Sequence, residues 1–175
     1  MSAPCSLLQY SVDPWNARFE DIESRLAFTV TMVEEDPNLI MRLTREKPWA
    51  EQNADKIMGP SNSYFYFGPS RTPGYLVYGN SPQQSMVDAW RQKKENSTSR
   101  YFTAQNGKEY KWRGRDAPRR FECCDSKGLT VALWEISQLE DEFHARLTVQ
   151  HSALAIITEL VTTLTLNRIA LILNW

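Results

Sequence analysis

The stretch SALAIITELVTTLTLNRIALILNW (residues 152–175) decides which class of fold this chain can adopt. At about 1.5 Å per residue, a helix of this length could cross a bilayer core of roughly 30 Å. Its composition counts against that role, because Glu159 and Arg168 would each cost about 2.5–3.5 kcal/mol near a bilayer centre. Threonines and an asparagine dilute the apolar run further. We therefore predict a helix over about residues 152–173 that lies in a protein core and does not anchor the chain in a membrane.

The segments before this helix show the period-two alternation of half-buried strands. LAFTVTMV (residues 26–33) and LIMRLTR (residues 39–45) each place apolar side chains on one face, and FHARLTV (residues 143–149) does the same near the end. In RYFTAQNGKEYKW, the Asn106-Gly107 pair predicts a hairpin with a type I′ turn. Eight or nine strands are predicted in all, each with one face for a core.

Two segments lack a clear strand pattern. SPQQSMVDAWRQKK (residues 81–94) predicts either one short surface helix, with Ser81 as N-cap and Pro82 at the first helical position, or an irregular excursion. Residues 1–24 receive no assignment. The predicted domain therefore covers residues 25–175.

A helix that is apolar nearly all round needs to be enclosed, and amphipathic strands need something against which to bury their apolar faces. Both needs are met if the strands curl around the helix. The sequence predicts a mainly β fold, an antiparallel β-barrel closed around a buried hydrophobic C-terminal helix.

Three segments carry a resemblance to a known family. RYFTAQNGKEYKWRG, FECCDSKGLTVALWE and ELVTTLTLNRIAL are similar to a fungal family of unknown function in the tubby C-terminal-like superfamily, which includes the LURP-one-related proteins and the phospholipid scramblases. The matching residues are Phe102, Thr103, Gly107, Tyr110, Lys111, Trp112, Val131, Ala132, Val161, Thr162 and Thr163. The resemblance is good over residues 100–175, loose over residues 26–78 and absent before them. It implies a tubby-like barrel, and none of its motifs is catalytic.

The positive charge is concentrated in the middle of the chain. The whole sequence has a formal net charge of -1, whereas residues 91–128 carry 11 basic and 5 acidic side chains. Arginine and lysine beside aromatic residues can bind phosphates. The candidate anion-binding residues are Lys108, Lys111, Arg113, Arg115, Arg119 and Arg120. The alternative is that this block is only a solvated hairpin end and loop.

Other classes of function have weaker support in the sequence. A pI near 6.1 lacks the basic footprint of a nucleic-acid-binding domain. His144 is predicted on the outer face of its strand, away from a convergent metal site, and nothing local activates Cys123 or Cys124 as a nucleophile. Nucleotide-loop, serine-hydrolase and zinc-protease motifs are absent from the sequence. No metal and no cofactor is expected.

These observations favour a non-catalytic binding or scaffold module, with an anionic lipid headgroup or another phosphorylated species as ligand. A protein-interaction module working through exposed aromatics is one alternative, and a hydrolase with an unrecognised site is another. The three unspaced cysteines and the absence of a signal-peptide pattern predict a cytoplasmic protein, with peripheral contact to membranes and no transmembrane segment.

Overall fold

The computed structural model describes residues 2–175 and contains twelve strands, two α-helices and four short 3₁₀ segments. The strands are β1 Cys5–Gln9, β2 Ala17–Asp21, β3 Leu26–Glu34, β4 Ile40–Arg45, β5 Asn62–Tyr66, β6 Tyr75–Tyr78, β7 Gln84–Ser85, β8 Arg100–Thr103, β9 Glu109–Asp116, β10 Arg120–Cys124, β11 Thr130–Ile136 and β12 Ala145–Val149. The helices are α1 Lys47–Ala50 and α2 Ile157–Leu173, and the 3₁₀ segments are Glu51–Asn53, Pro69–Arg71, Asp88–Trp90 and His151–Ile156.

All twelve strands belong to one sheet in the order β7-β6-β5-β4-β3-β2-β1-β12-β11-β10-β9-β8. Every pairing is antiparallel, and strands that follow one another in the chain lie side by side, except β7 and β8. The first strand also pairs with the last, from Cys5 opposite Val149 to Gln9 opposite Ala145. The sheet therefore follows the chain around and returns to its start.

The remaining gap, between the edge strands β7 and β8, is spanned by the chain that connects them. Met86 N–H donates to Gly74 O at 2.9 Å on the β6 side of this gap. On the other side, Arg91 and Tyr101 exchange two backbone hydrogen bonds of 3.0 and 2.8 Å. The 3₁₀ turn Asp88–Trp90 lies between these two anchor points. An irregular segment thus completes the enclosure that strand pairing leaves open.

Helix α2 occupies the interior of this enclosure. Its residues from Ile157 to Asn167 are all buried, which is about three turns without a solvent-facing side. Ile156, Leu160, Leu164 and Ile169 are each at most 4% exposed. By length and composition His151–Leu173 could also cross a membrane, but 78% of its most apolar window is buried inside the protein. The predicted core helix is confirmed.

The polar side chains of α2 are satisfied inside the protein. The hydroxyls of Thr162, Thr163 and Thr165 donate to carbonyls one turn earlier at 2.7–2.8 Å. Two further bonds join helix to sheet: Ser63 and Thr162 hydroxyls lie 2.8 Å apart, and Trp112 Nε1–H donates to Thr163 Oγ1 at 2.8 Å. Because a buried polar group without a partner costs about 1–3 kcal/mol, these bonds are what makes a threonine-rich core helix tolerable.

Several local predictions need correction. Residues 81–94 contain no α-helix; they form β7 and the 3₁₀ turn Asp88–Trp90, which matches the irregular alternative. The β8–β9 hairpin is confirmed, but its turn is not type I′, because only Gly107 has a positive φ (79°). Gly107 N–H donates to Ala104 O and Ala104 N–H donates to Lys108 O, both at 2.9 Å. This is a type I turn followed by a left-handed glycine, the usual arrangement of a longer hairpin loop.

The N-terminal segment that the sequence left unassigned contains two central strands, β1 and β2, between Cys5 and Asp21. β1 lies between β2 and β12, and Leu7 in it is fully buried. Gln9 is also fully buried, and its Oε1 accepts a 2.9 Å hydrogen bond from Trp134 Nε1. The strand total is therefore twelve, above the predicted eight or nine.

Truncation of a central helix side chain tests this packing. We expect Leu164→Ala to lower the free energy of unfolding by about 2–5 kcal/mol. Leu164 is 1% exposed, so the truncation leaves a cavity that is enclosed on all sides and cannot collapse. Leu171→Ala, on the same helix but 47% exposed, serves as the control and should change stability by about 0.5 kcal/mol or less. Urea unfolding of both variants measures the difference. Equal costs would mean that α2 lies on the periphery.

A second expectation concerns Glu159, which is 4% exposed near the start of α2 and accepts a 2.6 Å hydrogen bond from Gln105 N–H. Burial raises the pKa of its carboxyl from 4.5 to about 7. The folded state therefore holds a proton that the unfolded chain releases, so this group's contribution to stability is present below pH 4.5 and is lost as the pH rises through about 7. The loss is of the order of 3 kcal/mol at most.

Glu159→Gln should remove this pH dependence. His144 acts in the opposite direction, because burial lowers the pKa of its imidazole, so the informative quantity is the wild-type stability minus that of Glu159→Gln. We expect this difference to fall between pH 4.5 and pH 8 in urea unfolding. Parallel pH profiles for the two proteins would show that the carboxyl is not desolvated.

Candidate functional site

Strands β8, β9 and β10 present a basic outer surface because of the alternation of β9. Tyr110 and Trp112 point inward and are 6% and 1% exposed. The intervening Lys111, Arg113 and Arg115 therefore project outward. The sheet thus separates the aromatic and the basic residues of this motif onto opposite faces.

Two of the predicted anion-binding arginines share one carboxylate within the sheet. Arg113 Nη2 and Arg115 Nε both donate to Glu122 Oε2, at 2.9 and 2.7 Å. The hydroxyl of Thr130 also donates to Glu122, and these hydrogen bonds, the one from Thr130 first, hold the pKa of its carboxyl at about 2. The single negative charge of Glu122 therefore offsets one of the two positive charges, and both guanidinium groups are held by that carboxylate.

The other four predicted residues do not form one cluster. Lys108 lies in the hairpin loop before β9, whereas Arg119 and Arg120 follow β9 at its far end. The eight residues of β9 separate these two ends by roughly 25 Å. Arg120 also stands opposite Asp116 on one neighbouring strand and Glu135 on the other, so acidic side chains flank it.

Lys111 lies in a different setting, which we call the lysine depression. This is a shallow cavity of about 440 Å³ lined by Lys93, Tyr101, Glu109, Tyr110, Lys111, Asp125, Ser126, Lys127 and Gly128. Lys93 Nζ lies 4.2 Å and Lys111 Nζ 5.8 Å from the centre of the Tyr101 ring. Three lysines therefore surround one outward-facing tyrosine.

The carboxylates of the depression have other partners. Glu109 forms ion pairs with Lys93 and with Arg91, and the hydrogen bond from Lys93 is the largest cause of its lowered pKa. Asp125 Oδ1 accepts the backbone N–H groups of Lys127 and Leu129, both at 2.9 Å, and so fixes the β10–β11 turn. Among residues 2–175, no carboxylate forms an ion pair with Lys111 or Lys127.

Sequence reasoning missed Lys93, Lys127 and Tyr101. Lys93 falls in the segment that was predicted as a helix or an irregular excursion, and Lys127 stands in a turn that connects two strands. The predicted type I′ turn at Asn106-Gly107 would place Tyr101 opposite Trp112, whereas the observed turn places it opposite Lys111. To predict that the β10–β11 turn lies beside Tyr101 and Lys111, one must also know the order of the strands in the sheet.

Cys5, Cys123 and His144 are held among other side chains. Burial raises the pKa of the Cys5 thiol to about 11 and that of Cys123 well above its usual value. His144 packs edge-on against Trp134, with 6.2 Å between ring centres. Within the part of the chain that the structure describes, no three His, Cys, Asp or Glu side chains converge as metal ligands do.

A twelve-stranded antiparallel sheet with a buried C-terminal helix and a basic outer surface thus defines the class of protein. The chain belongs to DUF6593, a family of unknown function, whose model matches residues 13–168. This match includes β2 in the N-terminal segment as well as most of α2.

No curated protein matches the chain. An X-ray structure of the Arabidopsis thaliana protein AT5G01750 is similar over 99% of this chain and 93% of that one, with 12% sequence identity and a TM-score of 0.49.

Proposed function

We propose that this protein is a non-catalytic binding module whose lysine depression takes the phosphorylated headgroup of an anionic lipid. The observation that carries the proposal is the pair Lys111 and Lys127, which lie beside Tyr101 without carboxylate partners in residues 2–175. Phosphate oxygens are strong acceptors for such ammonium groups. A tyrosine beside them suits the boundary between headgroups and acyl chains, where an amphipathic ring finds both surroundings.

The electrostatic setting supports the same site over the far end of β9. Arg113 and Arg115 share Glu122, and Arg120 is flanked by acidic residues, so three of the four arginines at that end lie beside carboxylates. At physiological salt the Debye length is about 8 Å, so uncompensated charges act mainly on a partner that docks directly on them. Lys111 and Lys127 are such charges.

The proposal includes a finer classification. The sheet that encloses a C-terminal helix, together with the hairpin and helix motifs of the sequence, supports membership of the tubby C-terminal-like superfamily and a fungal origin. A cytoplasmic protein that contacts membranes peripherally would use the depression from outside the sheet. No step of this proposal requires a cofactor or a metal.

Vesicle sedimentation with paired charge reversals tests the site. Phosphatidylcholine vesicles with and without phosphatidylinositol bisphosphate are mixed with wild type, with Lys111→Glu/Lys127→Glu and with Arg119→Glu/Arg120→Glu. The two double variants change the formal charge equally, so they differ only in position. We expect the lysine variant to lose about tenfold or more in affinity and the arginine variant to stay close to wild type, with binding that weakens as salt rises.

The remaining outcomes are equally informative. Equal losses in both variants would reduce the effect to net charge and overturn the lysine depression as a site. Loss only in the arginine variant would move the site to the far end of β9. Competition by a soluble inositol phosphate would show that the protein recognises the headgroup alone. If the inositol phosphate binds the free protein as tightly as vesicles do, the ligand would be a soluble molecule and not a membrane lipid. Absence of salt-sensitive binding by wild type would refute the proposal.

One observation favours a second candidate function, a protein-interaction surface. Tyr64, Tyr66 and Tyr75 stack along the outside of β5 and β6, with ring centres 6.0 and 4.8 Å apart. Tyr75 is 36% exposed. Tyrosine is enriched in protein interfaces because it combines apolar area with a hydroxyl. If wild-type protein does not bind anionic vesicles, these three stacked tyrosines become the leading candidate for a functional surface, one that binds another protein.

A further inference from the structure

A second cavity lies at the end of the enclosure where α2 terminates, on the opposite side of β8 from the lysine depression. It has a volume of about 280 Å³, and its wall includes Trp90, Arg100, Phe121, Ala170, Leu171 and Trp175. We call it the mouth cavity. Along β8, Tyr101 projects outward to the depression whereas Arg100 and the buried Phe102 project to the inner side. The two sites therefore use different side chains of one strand.

Arg100 is the only side chain with a formal charge in the wall of this cavity. Its guanidinium carbon lies 4.4 Å from the centre of the Trp90 ring, in a stacked position. Nη1 donates to the carbonyls of Ser97 and Ser99 at 2.6 and 3.1 Å, which fixes the orientation of the group. The arginine is thus held by its neighbours before any ligand arrives.

The charge of Arg100 has no compensation in the part of the chain that the structure describes. No carboxylate forms an ion pair with it, in contrast to Arg91, Arg113 and Arg115. Its Nε is buried without a hydrogen-bond partner, and burial lowers the pKa of the guanidinium. Desolvating a charge without a partner is costly, so an anion in the cavity would relieve that cost.

Apart from Thr98, Asn167 and Asn174, the rest of the wall is apolar. Trp90 and Trp175 meet edge to face, with 6.2 Å between ring centres, and Trp175 in turn contacts Phe67 at 6.1 Å. Ala170 contributes a small side chain from the buried part of α2, and Leu171 is 47% exposed beside it. An apolar wall with one fixed cation matches a molecule that has an apolar body and a single anionic end.

We propose that the mouth cavity binds a small monocarboxylic acid, whose carboxylate pairs with Arg100 and whose hydrocarbon part packs against Trp90, Trp175 and Phe121. A carboxylate is a strong acceptor for the planar guanidinium fork and can accept from Nη2, because Nη1 already donates to the backbone and Nε is buried. The cavity, at about 280 Å³, lies just below the range of roughly 300–1,000 Å³ for small-molecule sites, which favours a short-chain or single-ring acid over a long fatty acid. This site is independent of the lysine depression.

Tryptophan fluorescence measures this binding directly, since Trp90 and Trp175 line the cavity. Wild-type protein is titrated with octanoate, octanol and octylammonium, which share a chain and differ in the charge of the head. We expect saturable binding of octanoate, about tenfold tighter than that of octanol, and no binding of octylammonium at the same concentrations. This comparison needs no variant, so it cannot be confused with misfolding.

Variants then assign the charge. Arg100→Gln should weaken octanoate binding about tenfold and leave octanol binding unchanged, and Arg100→Lys should fall between, because it keeps the charge but not the fork. Arg18→Gln is the matched control: its guanidinium lies 4.9 Å from the Tyr10 ring centre, and it is not part of the cavity wall. Lys111→Glu/Lys127→Glu should bind octanoate like wild type even if vesicle binding is lost.

Three results would overturn the proposal. Equal affinities of wild type for octanoate, octanol and octylammonium would reduce the cavity to a nonspecific apolar surface. Unchanged octanoate affinity in a folded Arg100→Gln protein would remove the guanidinium from the site. Absence of saturable octanoate binding by wild type has the same consequence.

Discussion

Everything in this structure depends on enclosing a helix that has no polar side. Residues from Ile157 to Asn167 of α2 are buried without interruption, so a sheet on one side of the helix would leave the other side in water. The meander returns to its first strand, and the segment around Trp90 connects the two edge strands. The hydroxyl contacts of Thr162 with Ser63 and of Thr163 with Trp112 then fix the rotation of the helix within the sheet.

The same constraint places the charged residues of α2 at its ends. Glu159 lies in the first turn, where it accepts a hydrogen bond from the hairpin residue Gln105. Arg168 lies near the other end, donates to Val12 O at 2.9 Å and stacks on Trp134 with 4.6 Å between guanidinium carbon and ring centre. Glu159 and Arg168, the two charged residues that make a membrane anchor unfavourable, thus link the helix to loops or strands at the two openings of the sheet.

Much of the fold could be predicted from sequence because periodicity reports burial directly. Leu39, Met41 and Leu43 alternate in the sequence and are all at most 3% exposed in the structure. β1 was missed because Gln9, a polar residue in a short strand, is buried through its hydrogen bond to the distant Trp134. The turn before Lys108 was assigned to the wrong type because two local arrangements share the Asn-Gly signal, and only backbone geometry separates them.

The candidate sites were less accessible to sequence reasoning than the fold, for a physical reason. A run of basic residues does not reveal which of them pair with carboxylates, and Glu122 pairs with Arg113 and Arg115 only through the register of β9 and β10. Lys127 and Lys111 come together across a turn, and Arg100 meets Trp90 across the gap between β7 and β8. Uncompensated charge, on which both proposals rest, is a property of tertiary structure.

Native-state hydrogen exchange of α2 tests the central claim most directly. If the sheet encloses the helix, the amides from Leu160 to Leu166 exchange only when the whole domain unfolds, so their exchange free energies equal the global free energy of unfolding from urea titration. The exposed end around Leu171 should exchange faster through local fraying. Exchange free energies for Leu160 to Leu166 well below the global value would contradict the account, because the helix could then open while the sheet remains folded.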